Sequence, residues 1–224
     1  MTLRFISSMA TKPLLAELAA LSPVAVTVES VGGVDAAKRV RAGERFDGVV
    51  LASNAIDSLT ADGHLLAEGR VKLADSGVAV AVRQGAPTPD IASEDALRRA
   101  VLSAERIGYS TGPSGTQLLQ LFERWGITAQ LQGRLVQAPP GVPVGSMAAD
   151  GRVSLAFQQW SELMSLPGIT VLGPLPASVQ IVTTFAAAAC SRSERVDEVR
   201  HVLALWAAPQ TAETKRRHGM EPAA

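Results

Sequence analysis

One cysteine, Cys190, stands among 224 residues, so no intrachain disulfide can staple the fold and the redox compartment is left open. It ends the apolar run Thr184–Ala189, where a thiol reads as buried and inert. Aromatic residues make up only 4% of the chain against 47% hydrophobic, led by Ala, Val and Leu, which favours helices packed on a parallel sheet over an all-β core. Charge of one sign is also missing: 21 basic residues meet 21 acidic ones. That balance lacks the electrostatic footprint of a nucleic-acid or anionic-membrane partner. No stretch reaches the about 18 apolar residues of a membrane span, the nearest approach being Val179–Cys190. The opening Met-Thr-Leu-Arg-Phe-Ile-Ser-Ser has no basic start, no apolar h-region and no small-residue cleavage site, which places the chain as written in the cytoplasm. A trimmed mature chain would instead be periplasmic. Three scattered histidines, His64, His201 and His218, and no Gly-x-Ser-x-Gly, HExxH or cysteine-rich motif leave the catalytic residues unassigned and predict neither metal nor cofactor.

What is present is a repeated strand-loop-helix grammar. Leu3–Ile6 reads as a strand feeding a helix over Met9–Leu21, with Leu14, Leu15, Leu18 and Leu21 at helical spacing. Val24–Val28 and Asp47–Leu51 read as strands, Ala36–Ala42 as a helix, and Ser53-Asn54 as the cap of a third helix. Three such units imply right-handed crossovers, a parallel sheet and loops gathered at the strands' C-terminal ends, where ligands of such sheets bind. Arg70–Leu73 and Val78–Arg83 are expected to pair around Asp75-Ser76-Gly77, and the Pro-rich turn after Gly85 to cross to a second lobe. There a helix from Ser93, a strand at Ile107–Tyr109 and a helix over Thr116–Trp125 repeat the pattern, followed by strands at Leu131–Val136, Val153–Phe157, Ile169–Leu172 and Val179–Phe185. Two helices, about Arg195–Trp206 and Pro209–His218, close the chain. The expected division is residues 1–83 for lobe one, 84–174 for lobe two and 175–224 for a return to lobe one.

Three loops end in small hydroxyl residues before a helix: Ser7-Ser8, Ser53-Asn54, and Thr111 to Thr116 with Ser114 and Gly115. Each can offer N–H groups and an O–H to an anion, aided by the helix dipole, although an ordinary N-cap explains any one of them alone. Gly32-Gly33, between strand and helix, permits close approach of a ligand to the backbone. Gln158, after the apolar run Val153–Phe157, is the amide placed nearest the strand ends. Asp57, Glu105 and Glu162 act as bases only if burial raises their pKa, and the default for all three is a solvated surface.

In order, the loops from Ser7-Ser8-Met9-Ala10 through Ser30-Val31-Gly32-Gly33, Asp47–Asn54, Asp75–Arg83 and Tyr109–Gly115 to Pro209–Ala212 and His218-Gly219 resemble the type 2 periplasmic binding proteins. The match is to their molybdate-binding-like branch of ABC-transporter solute receptors, and it spans nearly the whole chain. That resemblance implies an α/β fold of two lobes with a ligand cleft between them. It also implies an oxyanion or carboxylate held by Ser7 or Ser8, Gly32-Gly33 and Ser114-Gly115, and an ABC permease as partner if the chain is exported. After Ser30 the second loop carries Val and Gly where the molybdate receptors have a serine-rich turn. The same branch includes aconitate-isomerase-like enzymes, which implies as an alternative a cytoplasmic isomerase of small unsaturated polycarboxylates. A cytoplasmic anion sensor is the third reading, but no residues are left to build a signalling domain.

Overall fold

Gly48–Ala52 is buried at every position and Leu3–Ser8 at every position but Arg4, the pattern of strands covered on both faces. In the computed structural model, which describes residues 2–223, these are β3 and β1. In chain order the first stretch runs β1 (Leu3–Ser8), α1 (Lys12–Ala20), β2 (Val26–Val31), α2 (Gly33–Arg41), β3 (Gly48–Ala52), α3 (Ser53–Ala61) and β4 (Val71–Arg83). The second runs α4 (Glu94–Ser103), β5 (Ile107–Tyr109), α5 (Pro113–Arg124), β6 (Leu135–Gln137), α6 (Val144–Ala149), β7 (Leu155–Gln159), α7 (Trp160–Leu163) and β8 (Ile169–Pro174). The chain ends with β9 (Val182–Ala189), α8 (Val196–Ala207), α9 (Ala212–Arg217) and β10 (Glu221–Pro222).

These elements form two compact units, one made of the residues up to Ser76 and from Thr183 onward, the other of Gly77–Val182. In the first unit β1 lies between β2 and β3 and is parallel to both, while β9 runs antiparallel to β3 from Gly48↔Ala189 to Ala52↔Phe185. The strands separate two apolar layers. Phe5, Val50, Phe185 and Ala187 face α1 and α8, with Leu14, Leu18, Val202 and Trp206 in that layer. Ile6, Val49, Leu51 and Ala186 face α2 and α3, with Ala36, Val40, Ile56 and Leu59. The alanine run Ala186–Ala189 thus serves both faces with small side chains at the centre of the sheet.

In the second unit β7 is antiparallel to β4 and parallel to β5, which in turn is parallel to β6. Leu155 and Phe157 pack with Leu97, Leu118 and Phe122 of α4 and α5, whereas Ala156 packs with Val144, Met147 and Leu163 of α6 and α7. Among the described residues no helix is long and apolar enough to cross a membrane.

Several local expectations are corrected. The two short strands expected around Asp75-Ser76-Gly77 are one thirteen-residue strand, β4. Asp75 stays extended because Thr184 Oγ1 donates to its carboxylate at 2.6 Å and Glu221 pairs with it across β10. The strand expected from Val179 is β9, which begins at Val182, and Val179 lies in a 3₁₀ turn. Helix α5 starts at Pro113, three residues early, because Pro at the first helical position needs no N–H partner. Helix α6 was not foreseen, since six residues give no periodicity to read.

Candidate ligand-binding site

The parallel register of the first unit sets Ser7 beside Ser30 and Ser8 beside Val31, so the C-terminal ends of β1 and β2 coincide, and β3 ends on the same side. This edge gathers Ser7, Ser8, Gly32, Gly33 and Ser53. Ser7 is fully buried and committed: its hydroxyl shares a 2.8 Å hydrogen bond with Ser30 Oγ and reaches the Ser8 carbonyl at 3.3 Å. Ser8 differs, for its Oγ is buried and has no protein partner, and Ser53 Oγ is in the same state. The expected Ser53 cap is therefore corrected: Ala52 occupies the cap position, Ser53 is the first helical residue, and its hydroxyl bonds nothing.

Gly32 is the N-cap of α2 and Gly33 its first residue, again without a side-chain cap. The helix α4 makes the contrast, since Ser93 Oγ accepts from the Ala96 N–H at 3.2 Å in the ordinary way. A Cβ placed on Gly33 would meet Ser8 Cβ at 3.7 Å and Leu51 at 3.9 Å, which is plain van der Waals contact. Neither sterics nor backbone angle requires glycine there, so what it leaves open is space beside the Ser8 hydroxyl.

In the second unit the loop Ser110–Gly112 leads from β5 into α5, whose cap, Gly112, also has no side-chain hydrogen bond. Ser114 is buried and its hydroxyl pairs with Ser110 Oγ at 3.2 Å, while Thr111 is exposed. Gly115 is fixed by contact: a Cβ there would lie 1.9 Å from the Ser110 carbonyl oxygen. The loop and the first turn of α5 are thus held backbone to backbone.

The parallel pairing of β5 with β7 carries Gln158 to the same end of the sheet. Gln158 is the penultimate strand residue. It alternates onto the α6 face with Ala156, where its Oε1 accepts the Gly145 N–H at 2.9 Å. Burial pushes the Glu162 pKa up to about 7, and the Gln158 amide acts in the opposite direction. The solvated surface expected for Glu162 is corrected, whereas Asp57 is exposed beside Arg70 and Glu105 is exposed. Of the histidines, His201 is exposed and His218 bonds Glu17 at 2.8 Å.

Sequence reasoning missed three serines. Half-buried Ser30 anchors Ser7, and Ser76 Oγ and Ser161 Oγ are buried without protein partners. Ser161 was within reach of reading, because it follows Gln158-Gln159-Trp160 at the end of an apolar run.

The Glu162 shift has a measurable consequence. The folded state holds its proton up to about pH 7, above the 4.5 of a free carboxyl, so the fold binds more protons than the unfolded chain between those values. Stability should therefore fall as pH rises through that window. Urea midpoints at several pH values should show the decline in the wild type and its disappearance in Glu162→Gln; parallel profiles would mean the carboxyl is solvated.

The family model of bacterial extracellular solute-binding proteins matches residues 3–221. Aconitate isomerase from Pseudomonas sp. is 35% identical over 185 residues, covering 82% of this chain and 70% of that protein. Among solved structures, the periplasmic molybdate-binding protein of Azotobacter vinelandii aligns with a TM-score of 0.80 at 17% identity, covering 99% of this chain and 100% of that one. The sulfate-binding protein SubI of Mycobacterium tuberculosis H37Rv aligns at 0.81 with 14% identity, covering 100% of this chain and 87% of that one. Identities this low speak for the fold alone. The chain belongs to the bacterial extracellular solute-binding protein family and has the α/β fold of the type 2 periplasmic binding proteins.

Proposed function

We propose that this chain binds a small anion, an oxyanion or a carboxylate, through the hydroxyls and uncapped helix starts at its strand edges. The observation that carries the reading is that the Ser8, Ser53 and Ser161 hydroxyls are buried with no protein partner. Leaving a buried hydroxyl unmade costs about 1–3 kcal/mol, so their burial beside free helix starts is best explained by a ligand oxygen that completes them. The named residues at these edges are neutral, which suits an oxyanion held by dipoles and first-turn N–H groups rather than by a counter-charge. In this role the chain acts as the solute receptor of an ABC permease and works outside the cytoplasm.

The test is calorimetric titration with molybdate, tungstate, sulfate, citrate and the two aconitate isomers. Ser8→Ala and Ser53→Ala are each expected to weaken the winning ligand by about 1–3 kcal/mol, roughly 5- to 150-fold. Gly33→Ala should leave thermal stability unchanged or slightly raised, because alanine favours the helix, yet weaken binding by filling the space beside Ser8. Full affinity in all three variants would remove the first-unit edge from the site.

A second reading, isomerisation of an unsaturated polycarboxylate in the cytoplasm, is favoured by the 35% identity to the Pseudomonas aconitate isomerase. It is read by incubating the purified chain with cis- or trans-aconitate and quantifying both isomers by chromatography.

A further inference from the structure

At the opposite end of the first unit's sheet from Ser8 and Ser53 lies a cavity of about 410 Å³. It opens where β1 begins, at Arg4, where the chain enters β3, at Gly43 to Asp47, and where β9 has run out, at Cys190 to Arg195. The antiparallel register Gly48↔Ala189 brings the last two segments together. Hydrogen bonds fix the floor. The Asp47 N–H donates to the Arg4 carbonyl at 2.7 Å, and the Asp47 carboxylate accepts the Arg4 N–H at 2.9 Å and the Ser193 hydroxyl at 2.7 Å. The Cys190 N–H donates to the Asp47 carbonyl at 2.8 Å, and the Ser191 hydroxyl ties the next residue to the Gly63 and His64 carbonyls at 2.8 and 3.1 Å. The cavity is therefore preformed, and its volume lies within the range of small-molecule sites.

Its charges are unequally committed. Of the lining acids, Glu44 grips Arg39 outside the cavity at 2.6 and 2.7 Å, and both oxygens of Asp47 are engaged in the floor. Arg195 pairs with Glu198 at 2.8 Å. Arg4 lies over the Phe46 ring, 5.4 Å from its centroid. Arg45 and Arg192 are exposed and make no ion pair among the described residues, against one lining acid, Glu194, left in the same state. The Arg192 guanidinium folds across the turn at Gly43, where a Cβ would meet its Nη1 at 3.2 Å and where φ is +80°. Glycine at this turn thus serves both the backbone and the room for the guanidinium. We propose that this cavity is a second anion site, separate from the strand-edge site, and that it takes a small phosphate-bearing molecule. A guanidinium fork matches phosphate oxygens bidentately, and a doubly charged phosphate can engage the forks of both Arg45 and Arg192, whereas a carboxylate is satisfied by one. The cavity exceeds what a single phosphate fills, and the apolar floor at Val40, Phe46 and Cys190 covers the body that carries it.

The experiment is calorimetric titration of the full chain with inorganic pyrophosphate at fixed ionic strength. The wild type should bind it with a Kd below about 1 mM. Arg45→Gln and Arg192→Gln should each weaken that binding by at least about tenfold, the loss of a charge-assisted contact. Both side chains are exposed, so the variants should keep the wild-type urea midpoint. Arg99→Gln removes an exposed arginine of α4, in the other unit, and should leave affinity within about threefold. Weakening as large in Arg99→Gln as in Arg192→Gln would reduce the effect to overall charge and overturn the site. A wild-type Kd above about 1 mM also overturns it. So does pyrophosphate binding that survives both cavity variants and is lost in Ser8→Ala, which would put the anion at the strand edge. Citrate affinity should be indifferent to Arg192→Gln, and an equal loss would overturn the phosphate class. The strand-edge reading stands or falls on its own titrations, so its failure leaves this site untouched.

Discussion

Gly115→Ala is expected to lower anion affinity by about two orders of magnitude, an effect typical of misplacing a site by about 1 Å. The new Cβ would lie 1.9 Å from the Ser110 carbonyl oxygen and 2.9 Å from its carbonyl carbon. Backbone cannot rotate away as a side-chain tip can, so the Ser110–Gly112 loop or the start of α5 must shift. Either movement breaks the 3.2 Å contact between Ser110 and Ser114 and displaces the uncapped first turn. Some destabilisation, about 1–3 kcal/mol, should accompany it. Gly112→Ala is the matched control, because a Cβ there meets only Ser110 Oγ at 4.0 Å and the backbone φ is −81°. Calorimetry on the two variants reads the difference. Equal affinities for Gly115→Ala and wild type would show that this loop takes no part in holding the ligand.

Trp206→Ala should have the largest effect on stability, a loss of about 3–5 kcal/mol. The ring is fully buried and stacks at a tilt on Phe5 of β1, with centroids 5.1 Å apart. Its Nε1–H donates to the Leu18 carbonyl at 3.1 Å and to Ser22 Oγ at 2.9 Å, tying α8 to the end of α1. Removing it opens a cavity and takes the indole donor from Ser22 Oγ, while the Leu18 carbonyl keeps the Ser22 hydroxyl at 2.9 Å. Trp206→Phe restores most of the apolar volume but not the donor, and should recover all but about 1–2 kcal/mol. Urea unfolding followed by circular dichroism measures both. A loss below about 1 kcal/mol in Trp206→Ala would mean the α1–α8 layer relaxes around the gap and is not close-packed.

The candidate residues were legible to different degrees, for identifiable reasons. Ser7-Ser8, Gly32-Gly33 and Ser114-Gly115 could be found because each sits where a short apolar run gives way to a helical pattern, and that transition is local. Their separate roles were not legible. Ser7 turns out to be committed to Ser30 and Ser8 to be without a partner, a distinction set by the pairing of β1 with β2 across more than twenty residues of chain. Gln158 was legible as an amide at a strand end because it follows the apolar run Val153–Phe157; its Gly145 partner was not, since it comes from α6, a helix with no sequence signal. Glu162 was read as solvated on its identity alone, since a four-residue helix has no period from which burial can be read.

The sequence by itself determined the α/β class, the succession of strand, loop and helix, and the hydroxyl- and glycine-bearing loops. These follow from hydrophobic period, turn chemistry and helix-start preferences, which act over a few residues. Only the tertiary structure decided that Asp75-Ser76-Gly77 continues a strand, that the Ser8, Ser53 and Ser161 hydroxyls are buried without partners, and that burial raises the Glu162 pKa to about 7. Burial and hydrogen-bond satisfaction are properties of what surrounds an atom, and here the surroundings are supplied by residues distant in the chain.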